Sequence, residues 1–231
     1  MFDVLPRSQI RTVRLWPLAI PLRRPFRHAA QERAVADPLV VECELADGTV
    51  GYGETLPRPY VSGETIDSVV RSIREEYLPE LVALRPESFP EALERIEALP
   101  DRTQDGAVAT AARAGVELAL LDGYSRHFRR PLGEAVRWFG LPGLGEPGSI
   151  GQVRYSGVIS GEDPGRVAWS VRKMRWFGLR DFKLKVGYED DARRIRAAAR
   201  AIGRSLGRRG TLRLDANGAW KPTLTTQTTR F

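Results

Sequence analysis

Alternation of apolar and polar residues runs through the first quarter of the chain. The segment 39–45 alternates closely, and Asp47-Gly48 follows it as a two-residue hairpin signal before a second apolar segment at 50–53. A period of two places successive side chains on opposite faces of a strand. The pattern therefore predicts β-structure over residues 10–55, with a hairpin turn at Asp47 and Gly48.

A period of three to four residues replaces this alternation between residues 62 and 127. One apolar stripe lies on a single helical face and consists of Ile66, Val69, Val70, Ile73 and Tyr77. A second stripe follows Pro90, and a third helix is predicted over residues 107–124. The third helix is rich in alanine on most of its surface, so we expect it to be buried. Strands followed by helices predict an α+β domain.

Glycine and proline crowd the segment 140–151, which is typical of a domain boundary. We predict a first domain over residues 1–140, a linker at 141–151 and a second domain over 152–231. In the second domain, strands are predicted at 153–159, 182–186 and 212–215, with a spacing of 28 to 30 residues. Asp163-Pro164 and Asp190-Asp191 begin the intervening helices. Repeats of this size are βα units, which build a parallel sheet that is either open or closed into a barrel.

The amino-acid composition indicates a globular protein without membrane spans, disulfides or a histidine-rich zinc site. Apolar residues make up 42% of the chain and charged residues 28%, which is typical of a globular protein. No segment approaches the ~20 apolar residues of a membrane span, and the first residues lack the pattern of a signal peptide. We therefore expect a cytoplasmic protein without a membrane partner. The single cysteine, Cys43, excludes an internal disulfide and is interpreted as a small core residue, and two histidines are too few for a histidine-rich zinc site.

A net charge of +7 raises the question of a nucleic-acid partner. Most of the excess lies in an arginine-rich segment at 193–209, whose apolar residues recur at helical spacing. We interpret these arginines as the solvated face of a packed helix. No aromatic residues alternate with them to stack on bases, so no nucleic-acid partner is expected.

Two lysines on one predicted strand are the first candidates for chemistry. Lys183 and Lys185 share one face, and Arg213 and Asp215 share the corresponding face of the next strand. Only four of the 36 basic residues are lysine. Arginine does not give up its proton, whereas a lysine in a suitable environment does, and adjacent ammonium groups favour that loss. The pair therefore favours a general base, and the alternative is a salt-bridged pair on a surface strand.

Several short motifs follow one another along the chain, each occurring once. They are Pro25-Phe26, Asp47-Gly48-Thr-Val-Gly-Tyr-Gly-Glu54, Ser62-Gly63-Glu64-Thr65, the segment 111–122 with Arg130-Pro131-Leu132-Gly133, Lys183-Leu184-Lys185 and Asp215-Ala-Asn-Gly-Ala-Trp220. Together they resemble the enolase superfamily, in its mandelate racemase and muconate-lactonizing branch, which includes dipeptide epimerases. The resemblance covers residues 10–220. It implies an α+β capping domain followed by the first three βα units of a (β/α) TIM-type barrel, whose full form has eight.

The resemblance also implies a reaction and a role for each matching residue. In this family Mg²⁺ or Mn²⁺ binds the carboxylate of a small substrate while a base removes the neighbouring α-proton, which gives an enediolate. By matching position, Lys185 is the base and Lys183 assists it. Asp215 is the first metal ligand, and Asn217 lies close behind it.

The resemblance places substrate specificity in loops of the capping domain, around Phe26, Gln31 and Tyr60. Gln31 stands where dipeptide epimerases of this branch often carry a basic residue, although Arg27 and Arg33 are nearby. The substrate and the type of isomerisation, whether racemase, epimerase, cycloisomerase or dehydratase, stay open at this point.

The end of the chain departs from the family pattern. The last eleven residues, KPTLTTQTTRF, contain five threonines and no amphipathic helix. We expect a C-terminal truncation that arises from a frameshift, a premature stop or a split gene, and an inactive chain that retains one metal carboxylate and so holds the cation weakly or not at all. The partners expected are a small carboxylate substrate and a complementing C-terminal half or a second copy. The alternative is a residual or binding module without turnover.

Overall fold

The computed structural model describes residues 6–28, 31–140 and 152–220, and contacts divide the chain into two units. The first unit is Met1–Pro21 with Val35–Ser149, and the second is Leu22–Ala34 with Ile150–Phe231. The predicted linker at 141–151 and the threonine-rich tail at 221–231 lie outside the described residues. The domain limits predicted from the sequence stay a prediction.

The strands and helices follow the predicted order. The strands are β1 Ile10–Pro17, β2 Ile20–His28, β3 Gln31–Ala36, β4 Leu39–Leu45, β5 Val50–Thr55, β6 Ser156–Ile159, β7 Asp181–Lys185 and β8 Thr211–Asp215. The helices are α1 Ile66–Ser72, α2 Leu78–Leu81, α3 Phe89–Glu97, α4 Thr110–His127, α5 Gly133–Phe139, α6 Pro164–Trp176 and α7 Asp191–Ile202. A π-helical turn, Ile73–Tyr77, joins α1 to α2.

An antiparallel sheet of order β1-β4-β5 forms one layer of the first unit. Every second residue of β4, from Leu39 to Leu45, is buried, which confirms the alternation predicted there. The predicted turn joins β4 to β5, and Gly48 has a φ of +85° that suits glycine. Cys43 is 1% exposed and lies in the core, as expected. β2 and β3 pair with each other as a separate two-stranded sheet.

Helix α4 lies unusually close to the sheet because glycines line the contact. A Cβ atom added to Gly53 would lie 2.1 Å from the carbonyl oxygen of Gly115, and one added to Gly51 would lie 2.2 Å from that of Ala119. The helix is therefore buried on the side that faces β5. The prediction that this helix is buried against other elements is confirmed, although Leu118 is 48% exposed.

The second unit contains a parallel sheet of order β6-β7-β8, as the βα spacing predicted. Asp163 is the N-cap residue of α6, as predicted, and its carboxylate accepts a hydrogen bond from the N–H of Arg166 at 2.7 Å. Helices α6 and α7 cover the apolar face of the sheet, where Phe182 and Leu184 are fully buried. Leu214 on β8 lies opposite Leu184 in the sheet but is 39% exposed.

Arg194 corrects the interpretation of the arginine-rich segment. The other arginines of α7 lie on the outer side of the helix or at its margin, whereas Arg194 has no exposed surface. The burial of Arg194 could not be predicted from the hydrophobic period, because that pattern assigns every charged residue to the solvent-exposed face. Within the residues that the structure describes, no helix is long and apolar enough to cross a membrane.

Candidate active site

The lysine pair lies on β7 with the predicted side-chain orientation. Phe182 and Leu184 are buried against the helices, whereas Lys183 and Lys185 point to the opposite face of the sheet. The Lys185 side chain is 18% exposed and that of Lys183 is 37% exposed. Both ammonium groups therefore lie on a face that the helices of this unit leave uncovered.

Asp215 brings the two ammonium groups together. Its Oδ2 atom lies 2.5 Å from Nζ of Lys185 and 2.9 Å from Nζ of Lys183. The parallel register accounts for this contact, because Lys185 on β7 lies opposite Asp215 on β8. The three side chains form one charged cluster at the carboxyl end of the sheet, as the side-chain parity predicted.

Asn217 completes the cluster from the turn that follows β8. Its Oδ1 accepts a hydrogen bond from Nζ of Lys185 at 2.9 Å, and its backbone N–H donates to Oδ1 of Asp215 at 3.1 Å. Asn217 has a φ of 48° and Gly218 a φ of 76°, both in the left-handed region that asparagine and glycine tolerate best. The Asp-Ala-Asn-Gly sequence thus fixes the carboxylate and orients the lysine in one turn.

The cluster has a strong electrostatic effect on its carboxylate. Hydrogen bonds from Lys185 and then Lys183 hold the pKa of Asp215 far below its usual range, and the N–H of Asn217 lowers it further. Asp215 is therefore ionised at every physiological pH. One negative charge is shared by two positive charges, so the cluster retains a net positive charge that suits an anionic group.

The cluster does not by itself make a divalent-cation site. Mg²⁺ prefers octahedral coordination by oxygen ligands. Among the described residues, no group of three or more histidine, cysteine, aspartate or glutamate side chains is placed to hold a metal ion. Asp215 offers one carboxylate, and its Oδ2 atom is already bonded to both lysines.

The residues predicted to set specificity are not part of the lysine cluster, which is defined by its contacts with Asp215. Phe26 is in β2 and Gln31 is in β3, and their side chains lie outside the described part of the structure. Tyr60 belongs to the first unit, where its side chain is 46% exposed. Their role in specificity stays a prediction.

Sequence reasoning missed the buried pair formed by Asp191 and Arg194, which lies behind the lysine strand. Nη2 of Arg194 donates to the carbonyl oxygen of Lys185 at 2.7 Å. The signal was present as a spacing, since aspartate and arginine three residues apart meet on a helix. It was hidden because six other arginines surround Arg194 in the sequence.

Comparison with known proteins points to one family. Residues 10–136 match the model described as mandelate racemase / muconate lactonizing enzyme, N-terminal domain. The N-succinyl-L-Arg/Lys racemase of Bacillus cereus is 26% identical over 222 residues, which are 95% of this chain and 55% of the racemase.

Solved structures agree with the sequence matches. The substrate-liganded L-Ala-D/L-Glu epimerase of Bacillus subtilis is 25% identical with a TM-score of 0.75, and the match covers 96% of this chain and 57% of that one. The dipeptide epimerase of Enterococcus faecalis, in complex with Mg and the dipeptide L-Leu-L-Tyr, is 28% identical with a TM-score of 0.74 over 96% and 57% of the two chains. The chain thus spans about half the length of the relatives it matches.

Proposed function

Because the chain belongs to the mandelate racemase/muconate lactonizing enzyme family of the enolase superfamily, we propose that its second unit carries one side of an active site for racemisation or epimerisation. The proposed substrate is a small amino-acid derivative or dipeptide with a free carboxylate. The relatives support this class, since they include an N-succinyl amino-acid racemase and dipeptide epimerases.

One observation carries the proposal: two lysines, on a strand of a chain poor in lysine, converge on a single carboxylate. The cluster lies at the carboxyl end of a parallel sheet with helices on one face. In a (β/α) barrel the active site lies at that end, so we further propose that β6, β7 and β8 are the first three barrel strands.

The proposed roles follow from position and exposure. Lys185 is the more enclosed of the two lysines, and it removes the proton from the carbon next to the substrate carboxylate. Lys183 is closer to solvent and balances the negative charge that develops on that carboxylate. Asn217 orients Lys185 through the bond from Nζ. A lysine on one face of the substrate accounts for one of the two proton transfers that an epimerisation requires.

Asp215 is proposed as one oxygen ligand of a divalent cation, Mg²⁺ or Mn²⁺. The described residues supply only this one ligand, so we derive no step through the metal and expect weak binding of Mg²⁺ to this chain. For the same reason we propose that the 231-residue chain does not turn over substrate by itself. A binding protein without turnover is the second candidate, and the single carboxylate favours it.

Lysine-selective NMR tests whether the cluster receives a substrate carboxylate. The chain has four lysines, so ¹³C labelling at Cε gives four signals that lysine-to-arginine substitutions assign. We expect titration with N-succinyl-L-lysine or L-Ala-L-Glu to move the signals of Lys183 and Lys185 and to leave Lys173 in place. Lys173 is a matched control because it lies on α6 over the ring of Trp169. Equal movement of all three signals, or of none, would contradict the proposal.

A further inference from the structure

A buried ion pair lies directly behind the strand that carries the lysines. Arg194 has no exposed surface, and Asp191, one helical turn earlier on α7, is 6% exposed. Nη1 of Arg194 lies 2.6 Å from Oδ1 of Asp191. Burying a guanidinium group costs free energy unless its N–H donors have hydrogen-bond partners. The other partners of Arg194 and Asp191 therefore show which parts of the fold the pair holds.

Arg194 binds the carboxyl ends of two strands at once. Its Nε donates to the carbonyl oxygen of Gly161, just after β6, at 2.8 Å, and its Nη2 donates to that of Lys185, the last residue of β7, at 2.7 Å. The guanidinium carbon lies 4.4 Å from the ring centre of Tyr188. The planar fork of arginine can reach these separate acceptors together, which the single ammonium of lysine cannot.

Asp191 binds the ends of β7 and β8 through its second oxygen. Oδ2 accepts a hydrogen bond from the N–H of Gly187, two residues after Lys185, at 2.6 Å. It also accepts one from Nε1 of Trp220, at the end of the segment that follows Asp215, at 3.0 Å. The ion pair therefore joins the ends of all three parallel strands, and the cluster of Lys185 and Asp215 projects from two of them.

We propose that Asp191 and Arg194 are positioning residues for Lys185 and Asp215. The inference rests on the proposed function of the lysine cluster. Replacing a buried ion pair by apolar residues of similar volume is often neutral or stabilising, so stability alone gives little reason for a charged pair here. A displacement of about 1 Å at a catalytic group can cost about 100-fold in rate, and the ion pair holds the backbone directly after the Lys185 side chain at two points, the carbonyl of Lys185 and the N–H of Gly187.

Arg194→Lys is the sharpest test. It keeps a positive charge beside Asp191 but cannot reach both carbonyl groups. The substitution adds a fifth lysine signal to the four of the wild type. In the ¹³C-lysine spectrum at one fixed pH, we expect the Lys185 signal to shift from its wild-type position while that of Lys173 stays in place. Arg193→Lys is the matched control, because the side chain of Arg193 is 72% exposed and pairs with Asp190, and it should leave both signals unmoved.

Either of two variants, Arg194→Lys or Asp191→Asn, can refute the proposal. An unmoved Lys185 signal in folded Arg194→Lys would refute positioning, because a purely stabilising residue would not alter the lysine's surroundings in the folded state. If that variant does not fold, Asp191→Asn, which keeps an acceptor for Gly187, is judged by the same criterion. Proton exchange by Lys185 is measured separately. The Lys185 signal could shift in Arg194→Lys while exchange of the substrate α-proton is unchanged by Lys185→Ala. That combination would support positioning and refute the proposed function.

Discussion

Glu64 offers a direct test of how the first unit is held together. Helix α4 begins at Thr110 without a side-chain cap of its own, since Ala109 occupies the cap position. The Glu64 carboxylate takes that place from a distant part of the chain and is 3% exposed. It accepts hydrogen bonds from the N–H of Ala111 at 2.8 Å and of Ala112 at 3.1 Å, and from the Thr110 hydroxyl at 3.1 Å.

The cost of Glu64→Ala follows from these contacts. Two buried N–H groups lose their acceptor, at about 1 kcal/mol or more each. A negative charge at the helix N-terminus is also lost, and it contributes about 0.5–1 kcal/mol. We therefore expect the free energy of unfolding of the first unit to fall by about 3 kcal/mol. Glu64→Gln keeps one acceptor oxygen and should cost about half as much.

Native-state hydrogen exchange, read at amides in the middle of α4, measures this loss in the first unit alone. Glu94→Ala is the matched control, because Glu94 is exposed on α3, and it should change the unfolding free energy by less than about 0.5 kcal/mol. If Glu64→Ala behaves like Glu94→Ala, Glu64 does not stabilise the N-terminus of α4.

Three further predictions concern other parts of the chain. Gly53→Ala should destabilise by about 2 kcal/mol or more, because its Cβ would overlap the carbonyl of Gly115, and a melting temperature within a degree or so of the wild type would refute the close contact. Cys43, whose pKa burial raises to about 12, should react with a disulfide reagent at pH 8 only after unfolding, so rapid labelling of the native protein would count against it. Because the ion pairs lower the pKa of Asp215 in the folded state, their stabilisation is present above pH ~4 and lost as the pH falls further. Asp215→Asn should accordingly show a shallower loss of stability in urea titrations between neutral and acidic pH, and equal slopes would exclude this linkage.

The sequence predicted those features that depend on a regular period. Alternation assigned the two faces of β4 and β7, and the parity of Lys183, Lys185 and Asp215 placed three charges on one face of neighbouring strands. Parallel pairing then brought them into contact without any further information. The helix cap at Asp163 and the turn at Gly48 were predicted because their chemistry is local.

Features that depend on tertiary contacts could not be predicted in this way. The burial of Arg194 becomes reasonable only when Gly161 and Lys185 offer their carbonyl groups, and these residues are distant in sequence. Glu64 caps a helix that begins more than forty residues later. The π-helical turn at Ile73–Tyr77 buries Ile73 and Tyr77 of the predicted apolar stripe, but a fixed period of 3.6 residues does not represent such a turn.

Exchange of the substrate α-proton with solvent deuterium tests the central claim, that Lys185 is a base, most directly. The 231-residue chain would be incubated with Mg²⁺ and L-Ala-L-Glu or N-succinyl-L-lysine, alone and with the C-terminal half of the Bacillus subtilis epimerase. We predict no exchange by the chain alone, and exchange in the mixture that falls by about 100-fold or more in Lys185→Ala. Exchange that persists undiminished in Lys185→Ala would contradict the assignment.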